Sequence, residues 1–576
     1  MTQFPILSTI LFLPLLGAAG AVVLPRAAGW GWALATALAD LALCLWLITQ
    51  FSTSAAGFQF AEHAAWLPEL GVNYALGVDG INLFLVGLNA LLTVVALGAS
   101  WNAVRSGDRS RQYLALMMVL STGMQGVFLA TNLFLFYVFW ELMLVPAYLL
   151  VGMFGGERRA YAAIKFVIYT AAGSLLMLVG IIALGAVVAN GSAGGFNLDL
   201  AALIRSGATA LPKETQIWLF LAFFAAFAVK AGLFPLHSWV PDTYSEAPAP
   251  VVVLIAGVMA KTGAYGLVRF CLGLFPVAAS ALAPIIGVLA VIGILYFALQ
   301  ALVAEDFKRL LAYVSISHVS VIILGVFALN AQGIEGAVLQ MVNHGIIIAA
   351  LFLIAGYIEA RTSSRRLADF GGLAARLPWL ATVFLIAALS ALGLPGLNSF
   401  AGEFLAFLGA FRRDIALGTL GTLVVVPAAW YMLRFFQGVM EGPPRAVALA
   451  ADGSSPEAGA STRGPARRIA TRLPDLRASE LLVLLPLLAL IFYLGVAPGV
   501  LTSRMEPAVR QMPALATSAS IPARLAVTGG WANPSVTLLS VATSECPDQV
   551  AAAARARAKA PQVAAQASAQ TVGGDA

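Results

Sequence analysis

Three ionisable side chains stand alone in long apolar stretches of the chain. Glu141 is the only charge in FLFYVFWELMLVPAY, Lys230 follows the apolar run 217–229, and Lys261 is the only charge in the run 251–267. An ionised side chain at bilayer depth is costly unless it is paired or hydrated, so each of these groups needs a reason to be there. Burial brings lysines and glutamates closer to neutrality, where they exchange protons readily. The pattern predicts proton carriers, and it predicts an ion pair between Glu141 and Lys230.

The residues after Lys230 predict a broken membrane helix. Pro235 and His237 follow it closely, and Pro241, Pro248 and Pro250 come soon after. Prolines free backbone carbonyls, and irregular backbone at membrane depth is tolerated where it lines a polar cavity. Two other interpretations stay open from the residues alone. The lysine could be structural and donate to carbonyls freed by the first proline, and the glutamate at position 141 could mark a helix end that meets water.

Two histidines lie in consecutive apolar runs, His318 in YVSISHV and His344 in QMVNHGI. Either could be a buried histidine that bonds to a backbone carbonyl. Hydroxyl and amide side chains accompany them, and imidazoles titrate near neutral pH, so we predict a hydrated proton relay. The accompanying residues are Ser315, Ser317, Ser320, Gln340 and Asn343. No metal site is predicted, because the histidines and cysteines lack the spacing of a ligand set.

A second break is predicted inside the run 378–411, which is too long for one straight helix. The segment 393–400, GLPGLNSF, aligns with the segment 232–239, GLFPLHSW. Lys230 precedes one segment and Glu403 follows the other. Such a match predicts an internal repeat with one broken helix in each copy. The alternative is two unrelated proline kinks.

Composition places the chain in the membrane. Of its 576 residues 60% are apolar and only 10% are charged, whereas a soluble domain carries about 25% charged residues. The basic residues that give the net charge of +6 lie in short loops between apolar runs, so nucleic acid is not a predicted partner. The sequence contains no nucleotide-binding P-loop, no haem-attachment motif and no Rossmann glycine pattern.

Fourteen apolar runs are long enough to cross a bilayer, so we predict an all-α polytopic membrane protein. Loops rich in Lys and Arg alternate with loops poor in them, which predicts that both termini lie on the outer side. The runs are 5–24, 30–50, 80–100, 112–130, 132–152, 161–189, 215–235, 249–270, 282–304, 309–329, 334–357, 378–411, 415–438 and 479–501.

Several of these strings closely resemble the M subunits of proton-pumping NADH:quinone oxidoreductase, respiratory complex I. They are FYVFWELMLVPAYLL, YAAIKFVIYTAAGSLLMLVG, FPLHSWVPDTYSEAPAPV, DFKRLLAYVSISH, HGIIIAALFL, LPGLNSFAGEFL and GVDGINLFLV. The resemblance covers residues 1 to 501. It implies about 14 transmembrane helices with two inverted five-helix repeats. Glu403 favours the M type, because the sister antiporter-like subunits usually have lysine there.

The resemblance implies a role for each candidate residue. Glu141 and Lys230 match the pumping pair, and Lys261 matches the central connecting lysine. His318 and His344 match the relay histidines. The remaining two positions are Glu403 as the exit glutamate and His237 as the histidine after the broken helix.

The same resemblance implies a proton-translocating membrane subunit with no cofactor of its own. FMN, iron–sulfur clusters and quinone are expected in partner subunits, and the expected partners are other membrane subunits, including neighbouring antiporter-like chains, with the lipid bilayer and protons. The expected location is the bacterial inner (cytoplasmic) membrane. A subunit of a multisubunit cation/proton antiporter and a structural membrane scaffold are the alternative functions.

The chain is divided on this basis into six predicted regions. They are 1–110 (helices 1–3), 111–275 (first antiporter-like repeat), 276–440 (second repeat), 441–478 (flexible cytoplasmic linker), 479–502 (last transmembrane helix) and 503–576 (a disordered Ala-rich tail).

Overall fold

The structure, a computed structural model, describes residues 4–67, 71–101, 109–191, 196–443, 473–512 and 514–515. The first part of this chain has seven helices and one antiparallel hairpin. They are α1 (Ile6–Val23), α2 (Arg26–Gln50), β1 (Gln59–Leu67), β2 (Val72–Val78), α3 (Leu83–Ala99), α4 (Ser110–Leu129), α5 (Leu133–Leu142), α6 (Leu144–Phe154) and α7 (Arg159–Gly191).

The rest of the described chain continues as helices joined by short loops. They are α8 (Leu200–Arg205), α9 (Lys213–Ala231), α10 (Trp239–Glu246), α11 (Ala249–Leu272), α12 (Pro276–Val303), α13 (Phe307–Val326), α14 (Ala331–Thr362), α15 (Pro378–Ala391), α16 (Asn398–Arg413), α17 (Ile415–Thr422), α18 (Val425–Met440), α19 (Ala478–Val496) and α20 (Gly499–Arg510).

The helices confirm a multi-pass membrane protein. In the described residues, 12 helices or continuous helix pairs are long and apolar enough to cross a bilayer, whereas α3 and α15 are apolar but shorter. Each of the fourteen predicted runs contains a helix. The central helices α11 and α14 are buried along their whole most apolar stretch, while α1, α2 and α19 present apolar side chains outward. The described chain therefore has a helical core enclosed by peripheral helices.

Both predicted helix breaks are present, and they have the same backbone geometry. α9 ends at Gly232 with φ 73°, and α15 is followed by Gly393 with φ 69°. The next residue donates its amide to a carbonyl five residues back in both cases, Leu233 to Ala228 at 2.9 Å and Leu394 to Leu389 at 3.2 Å. This is a glycine-terminated helix cap that frees the chain to change direction. The aligned segments thus share a local fold, and the division into inverted repeats stays a prediction.

The predicted boundary of the tail is wrong. Residues beyond 503 continue as α20 to Arg510, with Leu501, Met505 and Val509 buried against the rest of the protein. The apolar positions recur at helical spacing, a pattern that is easily overlooked in a short and partly charged segment. The remaining tail residues 516–576 and most of the predicted linker, 444–472, lie outside the described residues.

Candidate functional site

Lys230 and Glu141 lie on neighbouring elements without forming the predicted ion pair. Lys230 is in the last turn of α9 with 1% exposure, and its Nζ lies 5.1 Å from the ring centre of Trp140 and 5.7 Å from that of Phe166. Within the described residues, no carboxylate lies within salt-bridge distance of Nζ. Oε1 of Glu141 is buried without a hydrogen-bond partner. The direct ion-pair prediction is therefore wrong for this conformation, because aromatic rings surround the ammonium group instead.

The structural interpretation of Lys230 is not supported either. A carbonyl near the helix break, that of Val229, accepts from the indole Nε1 of Trp239 at 2.9 Å and from the amide of Gly232 at 3.1 Å. The described hydrogen bonds include none from the Lys230 ammonium group to a backbone carbonyl, which is the contact that the structural interpretation requires.

Lys261 lies at the centre of α11 with 1% exposure. Its Nζ donates to the carbonyl of Ala256 at 2.5 Å. This carbonyl belongs to the π-helical turn Ile255–Met259, and π turns disturb the regular backbone pairing of a helix. The π-helical turn therefore contains the carbonyl oxygen that accepts the hydrogen bond of the buried Lys261 ammonium group.

Glu403, His318 and His344 form one contact chain across three helices. Nδ1 of His318 on α13 lies 2.7 Å from Oε1 of Glu403 on α16. The rings of His318 and His344 stack with their centres 5.3 Å apart and an angle of 15° between their planes. His344 is buried on α14, and neither of its ring nitrogens has a hydrogen-bond partner among the described residues. The structure thus brings together three residues that the sequence places far apart.

Two neutral side chains hold the Glu403 carboxylate in place. Its Oε1 accepts from Nε2 of Gln340 at 2.9 Å and from Oγ of Ser399 at 2.9 Å. Gln340 also donates to the Ser399 hydroxyl at 2.8 Å, so the three groups form a closed triangle. Ser399 was not singled out from the sequence, although it stands one turn before the glutamate and its position in the aligned segment could have indicated it.

His237 is not joined to the other candidates. It lies between α9 and α10 with its ring among those of Phe234, Tyr296 and Phe297, at centre distances of 5.9, 5.7 and 4.6 Å. None of its described contacts reaches Lys230. The packing places this histidine beside the helix break, where a movement of α10 would change its surroundings.

Charged side chains that the sequence did not indicate as partners connect α10 to its neighbours. Asp242 binds Lys165 of α7 at 2.7 Å and Arg309 of α13 at 3.3 Å. A nearby cluster joins Lys308 to Glu359 at 2.6 Å. The two pairs of Asp242 connect the second half of the broken helix to α7 and α13.

A second missed feature is the buried pair between Asp79 and Arg269. Both guanidinium Nη atoms lie 2.6 Å from a carboxylate oxygen, and the guanidinium also packs over the Phe58 ring. The backbone amide of Ile81 donates to the same carboxylate at 2.9 Å, so Asp79 also orders the turn that precedes α3. The sequence separation of the two residues concealed their contact.

The arrangement as a whole holds titratable groups in a row through the protein interior. Lys230, Lys261, His344, His318 and Glu403 lie on helices that contact one another in that order, and Glu141 is the residue after Trp140, whose ring lies against Lys230. Carboxyl, ammonium and imidazole groups are the side chains that carry protons where hydrogen bonds or ordered water join them.

Comparison with known proteins gives a consistent assignment. The sequence model of a family described as NADH:quinone oxidoreductase/Mrp antiporter, transmembrane, matches residues 130–426. NADH-quinone oxidoreductase subunit M of Mycobacterium tuberculosis (strain H37Rv) is 37% identical, covering 88% of this chain and 94% of that protein. The subunit of the same name from Rhodobacter capsulatus is 36% identical, covering 88% and 96%.

Solved structures agree with these sequence relatives. A chain in the structure of respiratory complex I from Thermus thermophilus with bound NADH is 30% identical, with a TM-score of 0.75, covering 89% of this chain and 100% of that chain. A chain of the Mrp complex from Dietzia sp. also has a TM-score of 0.75, at 23% identity. This similarity shows a shared fold and nothing further.

Proposed function

The chain belongs to the family of NADH:quinone oxidoreductase and Mrp antiporter membrane subunits, and we propose that it is the proton-translocating M-type subunit of a bacterial NADH:quinone oxidoreductase. Relatives that carry the subunit M name cover nearly the whole length of the chain. The observation that carries the proton role is the contact chain from partly buried Glu403 through His318 to His344, in which both histidines are buried.

In the proposed mechanism, a proton moves along the row of buried titratable groups. A charge change in a neighbouring subunit alters the electrostatic balance between Glu141 and Lys230, and the lysine gives up or takes a proton. The proton then moves from Lys261 to His344, from His344 to the stacked His318, and from His318 to Glu403, which releases it. His237 lies at the joint of the first broken helix, where movement of α10 would open or close access to the row.

Other parts of the proposal follow from the family. Oxidation of NADH and reduction of quinone take place in partner subunits that hold FMN and iron–sulfur clusters, and this chain has no redox centre. Its partners are the other membrane subunits, including neighbouring antiporter-like chains. Its location is the bacterial inner membrane, with both termini on the outer side.

A subunit of a multisubunit cation/proton antiporter is the second candidate, because the Mrp complex chain has the same fold. Two observations favour the first candidate. The relatives named subunit M match at 36–37% identity, and a carboxylate occupies position 403 in direct contact with His318. Purification of the chain from its own membranes separates the candidates, since only the first predicts flavin and iron–sulfur subunits in the same complex.

The proton role is tested with Glu141→Ala and Lys230→Met in inverted membrane vesicles that oxidise NADH. We expect each variant to lower NADH-driven acidification several-fold while electron transfer from NADH to an artificial acceptor is unchanged. Lys213→Met and Glu214→Ala are matched controls, because both side chains are exposed in the first turn of the helix that carries Lys230. Normal acidification in both test variants would defeat the proton proposal and leave the scaffold function.

A pair of glycine substitutions tests the position of the Glu403 carboxylate. A Cβ at Gly393 would lie 2.9 Å from Oε2 of Glu403, whereas a Cβ at Gly396 would meet nothing within 4 Å. Both glycines have positive φ, so alanine costs about 1–2 kcal/mol of backbone energy at either position. We therefore expect similar losses of thermal stability, but a loss of NADH-driven acidification only for Gly393→Ala. Equal acidification by the two variants would contradict the predicted role of Glu403.

A further inference from the structure

Asp40 is a charged residue in the middle of a helix layer that otherwise lacks charge. It lies on α2 with 1% exposure, and α2 packs against α1, α3 and α4. Those three neighbouring helices contain a single charged residue, Arg111, in the first turn of α4, and the other charge of α2 is Arg26 in its own first turn. Arg26 is about 21 Å away along the helix axis at 1.5 Å per residue. Among the described helices that pack on α2, none therefore supplies a cation at the depth of Asp40.

The carboxyl group of Asp40 also lacks a complete set of hydrogen bonds. Its Oδ1 is buried without a partner, and no described basic side chain forms an ion pair with it. A carboxylate in such surroundings is strongly destabilised, whereas a neutral carboxylic acid is tolerated and needs only one donor or acceptor contact. The surroundings of Asp40 therefore favour a bound proton.

A column of neutral polar side chains lies beside this carboxyl group. Cys44 stands one turn further along α2, and its sulfur accepts from Nε2 of Gln125 at 3.6 Å. Oε1 of Gln125 in turn accepts from Nδ2 of Asn89 at 2.6 Å, and Asn89 also donates to the carbonyl of Ser121 at 3.0 Å. All four side chains are buried. Polar side chains inside membrane helices are rare and often mark the paths of ions or protons.

The same column is one helix away from the proposed relay. Asn89 lies on α3, and the next residues of that helix touch the relay helices on another side. Leu92 packs directly on Gly257 of α11, and Leu88 packs on Gly345 of α14. Gly257 adjoins the carbonyl that binds Lys261, and Gly345 adjoins His344. Because a low dielectric screens charges weakly, a charge change at the relay acts on Asp40 across this single helix.

We propose that Asp40 is a second proton-binding site, which takes up and releases a proton as the charges of Lys261 and His344 change during turnover. The ionised carboxylate accepts a proton from a hydronium ion at Oδ1, which forms the O–H bond and leaves water, and release is the reverse step. This inference rests on the proposed proton role of the chain. Within the described residues no group of three His, Cys, Asp or Glu side chains surrounds the site, so a proton suits it better than a metal ion.

Infrared difference spectroscopy on the whole complex in its membranes tests this site. Addition of NADH is expected to change the carbonyl stretch of a protonated carboxylic acid, and this band should shift in D2O and be missing from Asp40→Asn. Asp199→Asn is the matched control and should keep the band, because Asp199 already accepts from Asn73 and Asn132 at 2.8 Å each. If Asp40→Asn fails to assemble, Asp40→Glu is used instead, and it should move the band without removing it.

Three results would overturn the inference. They are an identical band in wild type and Asp40→Asn, an Asp40 band that does not respond to NADH, and a response that follows sodium concentration rather than pH. Each of them leaves the proposed function standing if wild-type vesicles still acidify on NADH addition.

Discussion

Replacing Lys261 by methionine should nearly abolish NADH-driven acidification of inverted vesicles. In the proposed relay, Lys261 connects the Lys230 half of the row with the His344 half. Removal of a positioned proton-transferring side chain slows its step about 100-fold or more. We therefore expect a larger loss than for Glu141→Ala or Lys230→Met, measured as acidification per NADH oxidised.

The structure offers a close control for this substitution. Thr262 is the next residue of α11, is fully buried, and donates its hydroxyl to the Met259 carbonyl at 2.6 Å. Thr262→Val removes a hydrogen bond to the same helix and leaves the lysine in place. Each variant loses one side-chain hydrogen bond to a buried carbonyl, so equal assembly with unequal acidification would assign the difference to the lysine side chain.

Lys261→Arg gives the complementary measurement. The guanidinium keeps a positive charge at every accessible pH but does not release its proton. A relay requires release, so this variant should acidify as poorly as Lys261→Met. Full acidification by the arginine variant would mean that the buried charge alone is needed, and the proton would then have to pass by another route.

The sequence predicted the helices and the isolated charges well, for simple physical reasons. A bilayer demands long apolar runs, and any charge inside one is conspicuous, so Glu141, Lys230 and Lys261 could be found without a structure. The helix breaks could also be predicted, from Pro235 and from the two aligned segments. Gly232 and Gly393, which begin these segments, supply the left-handed backbone that ends each helix.

Contacts between helices were predicted less well. The ion pair of Glu141 and Lys230 was wrong because helix rotation places the Trp140 ring beside the ammonium, and the sequence does not fix that rotation. The π turn that supplies the acceptor of Lys261 depends on packing around α11 rather than on any residue signal. Asp40 was passed over because a single aspartate in an Ala- and Leu-rich helix resembles a minor interruption.

The buried pair of Asp79 and Arg269 leads to the second large effect, which concerns stability. Arg269→Met leaves the Asp79 carboxylate buried beside Tyr265 and Phe58 without its cation. Loss of one partner of a buried ion pair costs about 3–5 kcal/mol. We expect a marked fall in the melting temperature of the purified complex and in the amount of this chain that assembles, whereas Arg412→Met, at an exposed helix end, should change neither.

A double variant distinguishes an uncompensated charge from lost packing. Asp79→Asn with Arg269→Met removes both charges, and the asparagine can still accept from the amide of Ile81. Replacing both members of a buried pair is often close to neutral, so the double variant should recover most of the stability that Arg269→Met loses. Equal instability of the single and double variants would mean that the guanidinium acts through its contacts with Phe58 and Tyr265. In that case the pair would anchor the C-terminal end of α11 by packing, and charge neutralisation would be secondary.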